Sequence, residues 1–211
     1  MRFTTLFFDL DDTLYPSSSG LWHAIKDRMN LYMLERLSIS ERDVPLLREQ
    51  YFKMYGTTLR GLQERHKVDK EDFLAFVHDL PLKDYLTPNP IVRGIIASLP
   101  TRNLIFTNAD VNHAQRVLAM LKLDDLFETI VDVNAVSPYC KPMLESFAIA
   151  MELANEPDPR KCVVIDDLPR TTRAALSVGM ASLLYGCEDP CEDASGAFTD
   201  WNHLPILLGD R

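Results

Sequence analysis

The chain has 211 residues, a size that suits one domain or a core carrying a modest insertion. Its hydrophobic content of 46% is ordinary for a globular chain and sufficient for a sizeable core. A formal net charge of −9 argues against non-specific binding to nucleic acid polymers or to an anionic membrane surface.

The first strand is expected over 2–8, where Leu6-Phe7-Phe8 forms an apolar run. It ends in three carboxylates, Asp9, Asp11 and Asp12, within four residues. Asp9 and Asp11 would share one side of a regular strand, and hard oxygens at a strand end suit Mg²⁺. Taken alone, the segment reads equally as a metal or catalytic site and as a strand followed by an acidic turn. No signal-type apolar stretch occurs at the N-terminus and no apolar run approaches spanning length, so the expected setting is a reducing cytoplasm.

Residues 16–20, Pro-Ser-Ser-Ser-Gly, break the chain, and a helix is expected over 21–37 with Ser19 as its cap. Leu21, Ile25, Met29, Tyr32 and Met33 fall near one face of it. Further helices are expected over 40–55, entered by Ser40 with Asp43 in the first turn, over 58–66, and over 69–80, entered by Asp69. No alternating strand interrupts 16–87, which therefore reads as a helical insertion. Pro81, Pro88 and Pro90 mark the return.

From there the pattern alternates: helix 90–99, strand 102–107, helix 111–121, strand 127–133, helix 143–153, strand 161–165, helix 171–178 and strand 181–185. Such alternation predicts an α/β, Rossmann-like parallel sheet with helices on both faces and ligands at the carboxyl ends of its strands. Residues 186–193 form an acidic, breaker-rich loop, and 203–208 suit a terminal helix. Of the four cysteines, Cys162 opens an apolar strand and is expected to behave as a small apolar residue. Cys187 and Cys191 have C-x3-C spacing but no second ligand pair, which argues against structural zinc.

Three later segments give the opening motif its meaning. Leu104-Ile105-Phe106 runs into Thr107-Asn108, Cys140-Lys141-Pro142 places a lysine in a turn, and Val163-Val164-Ile165 runs into Asp166-Asp167. In this order the chain resembles the haloacid-dehalogenase-like hydrolases, a family of mostly Mg²⁺-dependent phosphatases. The resemblance implies that Asp9 is the nucleophile, forming an aspartyl-phosphate, and that Asp11 is the acid and base. Thr107 and Asn108 would donate to the phosphoryl group, and Lys141 would neutralise charge. One Mg²⁺ would be held by the Asp9 carboxylate, the Asp11 carbonyl and the Asp166/Asp167 pair, with Asp167 the direct ligand. Four positions after Asp167, where the family often has an asparagine or an acid, this chain has Thr171, which would loosen the surroundings of the metal. Helix capping by Thr107-Asn108 or by Asp166-Asp167, and an exposed Lys141, are the alternatives each residue faces singly.

Asp11 favours phosphoryl transfer over dehalogenation, because a halide leaves without a proton. The core would be formed by 1–15 and 88–211, and 16–87 would be a cap that closes over the site and selects the substrate. Within the family the chain is similar to the pyrimidine 5′-nucleotidases. The resemblance is carried by residues 8–16 and 139–142, by Tyr55-Gly56-Thr57-Thr58-Leu59-Arg60-Gly61-Leu62, and by Leu80-Pro81-Leu82. It implies hydrolysis of UMP or CMP, a small phosphate monoester rather than a polymer, with Tyr55, Gly56, Thr57, Arg60 and His66 as candidate specificity residues in the cap. Trp22 could stack on a base, although aromatics at helical spacing usually pack in a core. A sugar-phosphate phosphatase or β-phosphoglucomutase-like enzyme would keep the same core, and a non-catalytic binding protein would keep only the fold. Oligomeric state is left open by the sequence.

Overall fold

The computed structural model describes residues 3–189 and 192–209. Arg2, where the first strand was expected to start, and Cys191 of the C-x3-C pair lie outside them. The chain divides into two compact units, one formed by residues 1–18 and 86–211 and the other by residues 19–85.

The larger unit is built on six parallel strands: β1 (Thr5–Phe8), β2 (Arg102–Phe106), β3 (Thr129–Val131), β4 (Cys162–Asp166), β5 (Ala181–Tyr185) and β6 (Gly196–Phe198), in the order β3-β2-β1-β4-β5-β6. The strands are joined through α5 (Pro90–Ser98), α6 (Val111–Leu121), α7 (Leu144–Leu153) and α8 (Pro169–Ser177), and α9 (Leu204–Leu207) ends the chain. Side chains alternate across the sheet. Phe7, Leu104, Phe106 and Val164 pack in one cluster with Phe147 and Ala150 of α7 and Ala174 and Ala175 of α8. Phe106 meets Phe7 and Phe147 edge to face, with centroids 6.2 and 5.3 Å away. Phe8 is rotated out of that cluster and stacks on Trp201 at 6.4 Å. Each such fully buried aromatic stabilises the sheet by about 1.5–3 kcal/mol, so β1 anchors both faces.

Local readings differ from the sequence expectation at several places. The helix expected from 171 starts at Pro169, whose fixed φ and missing N–H suit the first helical turn. Between the acidic loop and the terminal helix, where no element was expected, lies β6, three residues long, which pairs with β5 through Leu183↔Gly196 to Tyr185↔Phe198.

The smaller unit holds α1 (Leu21–Leu37), α2 (Val44–Tyr55), α3 (Thr58–His66) and α4 (Lys70–His78). Leu21, Ile25, Tyr32 and Met33 are buried as the spacing predicts. Ser40 does not cap α2 directly. It forms a turn with Asp43, whose N–H donates to Ser40 Oγ at 3.3 Å, and the helix begins at Val44 with Pro45 in its first turn. Asp69 enters α4 as expected, accepting from Asp72 N–H at 2.8 Å. Helices α1 and α4 are tied by Tyr32, which donates to Asp72 Oδ2 at 2.7 Å, and by Arg28, which donates from Nε and Nη2 to the Phe76 carbonyl. No helix among the described residues is long and apolar enough to cross a membrane.

Candidate active site

The carboxyl ends of β1, β2 and β4 gather three of the four motifs. Phe8 is level with Ile165, and the next step of that register sets Asp9 beside Asp166; Asp9 N–H donates to the Ile165 carbonyl at 2.8 Å. The chain then turns sharply. Asp12 takes the left-handed conformation at φ 58°, which an aspartate tolerates better than most residues, and Leu14 N–H closes the turn on the Leu10 carbonyl at 3.0 Å. Asp11 thereby leaves the strand geometry that would have set it on the same side as Asp9.

Lys141 comes from the connection between β3 and α7 and is 3% exposed. Its Nζ donates to Asp9 Oδ1 and to Asp166 Oδ2, both at 2.6 Å. It also lies 5.2 Å from the centroid of Phe106. The alternative of an exposed turn lysine fails here. Burial works against its charge, but Asp166 and Asp9 outweigh burial and hold the ammonium above its ordinary range.

One ammonium does not balance the carboxylates around it. Asp9, Asp166 and Asp167 each offer an oxygen, and these atoms all lie within 4.8 Å of one another. Burial, followed by Asp9 and Asp166, pushes the Asp167 carboxyl up to about 8. Burial also raises Asp9, to about 7, with Asp166 and Asp11 adding to the rise and Lys141 opposing it. A cluster of hard oxygens with surplus negative charge is the donor set a divalent cation takes. Both Asp166 oxygens already have protein donors, Oδ2 from Lys141 and Oδ1 from Leu168 N–H at 2.9 Å. Asp167 is half-buried.

Thr107 and Asn108 leave β2 at the same end. Thr107 Oγ1 accepts from Ala109 N–H at 3.0 Å, so its own hydroxyl proton can be directed elsewhere. Capping of α6 falls to Asp110, which accepts from His113 N–H at 3.0 Å. The Asn108 side chain is engaged in a way the sequence reading did not foresee. Its Nδ2 donates to the Lys141 carbonyl at 3.0 Å, and its Oδ1 accepts from Lys141 N–H at 2.9 Å. One Nδ2 hydrogen remains beyond this pair, since an amide nitrogen carries two. Thr171 is buried in the first turn of α8.

Three residues without an expected role touch the acids. Thr13 Oγ1 donates to Asp9 Oδ2 at 3.2 Å. Tyr15 Oη donates to Asp11 Oδ1 at 2.6 Å, and His113 Nε2 lies 3.0 Å from the same oxygen. Burial and then Asp11 hold the Tyr15 phenol protonated, well above its usual range. The sequence offered one signal for His113: with Val117 and Leu121 it recurs at four-residue steps on the buried face of α6, a polar residue in a core position.

In the helical unit the candidate residues have local partners. Thr57 caps α3, accepting from Arg60 N–H at 3.1 Å. Tyr55 Oη accepts from Arg65 Nε at 2.7 Å, and the exposed His66 pairs through Nε2 with Tyr51 Oη at 2.9 Å. Gly56 is buried, with φ 88°, at the end of α2, and Arg60 is half-buried. Trp22 is half-buried. Cys140, Cys162 and Cys187 are free thiols.

Comparison with known proteins agrees with this geometry. Over 197 residues the chain is 29% identical to Phosphate metabolism protein 8 of Saccharomyces cerevisiae; the match covers 87% of this chain but only 61% of that protein. Among solved structures, a predicted phosphoglycolate phosphatase from Haemophilus somnus superposes with a TM-score of 0.65 at 17% identity, covering 99% of both chains. The HAD-hydrolase YfnB from Bacillus subtilis, in a structure bound to magnesium, superposes with a TM-score of 0.62 at 15% identity, again covering 99% of both chains. The family model for haloacid dehalogenase-like hydrolases matches residues 3–179, and the chain belongs to that family.

Proposed function

We propose that the protein is a Mg²⁺-dependent phosphatase that hydrolyses a phosphate monoester through an aspartyl-phosphate on Asp9. The observation that carries this reading is the buried Lys141 ammonium bonded to both Asp9 and Asp166 at 2.6 Å, with Asp167 in reach and Asp11 two residues beyond the nucleophile. Lys141 fixes Asp9 Oδ1, and the Asp9 carboxylate attacks phosphorus. The ester P–O bond breaks as Asp11 passes its proton to the departing oxygen. A water molecule then gives a proton back to Asp11 and attacks the same phosphorus. This breaks the acyl-phosphate P–O bond, restores Asp9 and releases phosphate. Thr107 Oγ1–H and Asn108 donate to the phosphoryl oxygens during both transfers. Asp9, Asp167 and the Asp11 carbonyl would hold Mg²⁺, with Asp166 acting through water; when bound, the ion supplies charge cancellation on the phosphoryl oxygens.

Within that class we assign the chain to pyrimidine nucleoside monophosphates, UMP and CMP. Support comes from residues 55–62 and 139–142 and their likeness to the pyrimidine 5′-nucleotidases. The yeast relative's name places that protein in phosphate metabolism, which agrees with phosphoester chemistry and leaves the substrate to experiment. In the helical unit, Tyr55, Gly56, Thr57, Arg60 and His66 are the candidates for selectivity; Thr57, Tyr55 and His66 hold the local bonds described above.

The test is phosphate release with Mg²⁺ across UMP, CMP, AMP, GMP, glucose phosphates and p-nitrophenyl phosphate, with an EDTA control. EDTA-sensitive preference for UMP and CMP is expected. Sugar-directed or indiscriminate activity would keep the Asp9 chemistry and discard the pyrimidine assignment. Inactivity toward every ester would leave a binding protein as the reading.

A further inference from the structure

We propose that Tyr15 and His113 are the positioning residues of Asp11, holding its carboxyl group in the orientation from which it protonates the leaving oxygen. This deepens the phosphatase reading and rests on it. Asp11 lies beyond the strand end, after the ladder that fixes Asp9 has stopped, so its side chain needs another constraint. Two polar atoms supply it from different elements. Tyr15 Oη approaches Asp11 Oδ1 at 2.6 Å from the loop after β1, and His113 Nε2 approaches the same oxygen at 3.0 Å from α6, 102 residues away in sequence.

Both partners are themselves held. The His113 side chain has no exposed surface, whereas that of Asp11 is 13% exposed. The His113 backbone is fixed as well, since its N–H donates to the Asp110 cap at 3.0 Å. Tyr15 is 4% exposed. Two directed contacts on one oxygen restrict rotation of the carboxyl plane, which a single contact would not do. A proton donor misplaced by an ångström loses much of its effect, so such a constraint bears on the rate. Their contacts are with Asp11 Oδ1, whereas Lys141 bonds Asp9 and Asp166, which separates this role from that of Lys141.

The experiment measures kcat/KM with Mg²⁺ for p-nitrophenyl phosphate, phenyl phosphate and an alkyl phosphate, because kcat/KM reports the step in which the ester oxygen departs. A p-nitrophenolate leaves without a proton, whereas an alkoxide needs one. Asp11→Asn is the control for the acid. Tyr15→Phe, His113→Gln and His113→Ala are the test variants, each checked for folding by its melting transition. The expected result is that Asp11→Asn loses far more on the alkyl ester than on p-nitrophenyl phosphate. Tyr15→Phe and His113→Ala should follow the same slope with smaller losses, about 10- to 100-fold on the alkyl ester and under about threefold on p-nitrophenyl phosphate. His113→Gln, which keeps a donor, should recover most of the alkyl activity.

Equal losses on all three esters for Tyr15→Phe and His113→Gln, beside a steep slope for Asp11→Asn, would overturn the positioning role and leave Asp11 as the acid. A flat slope for Asp11→Asn itself would remove Asp11 as the acid, and the positioning role with it. If His113→Ala fails to fold, Tyr15→Phe and His113→Gln decide the matter alone.

Discussion

Asn108 holds Lys141 by its backbone rather than by its charge. The Asn108 amide donates to the Lys141 carbonyl at 3.0 Å and accepts from the Lys141 N–H at 2.9 Å, the paired contact one strand makes with another. The orientation of the amide is fixed by its partners, since a backbone N–H can only donate and a carbonyl can only accept. The turn that carries Lys141 is thereby tied to the end of β2, and the ammonium reaches Asp9 and Asp166 from a fixed root. Replacing Asn108 with alanine should leave the sheet folded and lower turnover about 100-fold through a displaced Lys141. Kinetics of Asn108→Ala with a melting curve alongside would check this; an unchanged kcat would show that Lys141 needs no such tie.

Stability of the metal-free protein should fall as pH rises. Asp9 is raised to about 7 and Asp167 to about 8 from an ordinary 3.8. A carboxyl with a folded pKa above its unfolded one binds its proton more tightly when folded. Its contribution is complete below the unfolded value and is lost as pH rises through the folded values. Lys141 adds no slope there, because it is protonated in both states. Mg²⁺ binds the ionised carboxylates, so its stabilising effect should grow from about pH 5.5 to about pH 8. Thermal melts with EDTA or Mg²⁺ at both pH values test this, and a Mg²⁺ increment independent of pH would speak against a site at these acids.

Gly61 is fixed by packing. A Cβ built on it would collide with Cβ and Cγ of Tyr51, so α2 and α3 approach closely because nothing projects from this position. Gly61→Ala gains helix propensity, but the clash is with the root of a side chain rather than its flexible end. Overpacking of this kind costs about 1–3 kcal/mol, which should appear as a lower melting temperature. A neutral or stabilised Gly61→Ala protein would mean that the two helices separate easily.

Much of this architecture was legible in the sequence because its signals are local. Each of β1, β2 and β4 carries an apolar run that stops at polar residues, and a parallel sheet brings such ends together without further information. The short strand β6 was not legible: Gly196–Phe198 is too brief for a periodic signal and lies beside an acidic stretch. The bonds of Asn108 to Lys141 and of His113 to Asp11 were hidden for a different reason. They join residues 33 and 102 positions apart, and which side chains meet across that distance is set by tertiary packing. For Asn108 the bonds to Lys141 were not foreseen, since an amide at a strand end offers the same groups to a phosphate, a helix or a neighbouring turn.

The central claim is that Asp9 is the nucleophile of a phosphatase, and the most direct measurement is Mg²⁺-dependent phosphate release by the wild-type protein and by Asp9→Asn, side by side, on UMP and p-nitrophenyl phosphate. The account predicts EDTA-sensitive release by the wild type and no turnover by an Asp9→Asn protein that melts as a folded chain. An Asp9→Asn protein that turns over at the wild-type rate, with mass spectrometry excluding deamidation back to aspartate, would contradict it.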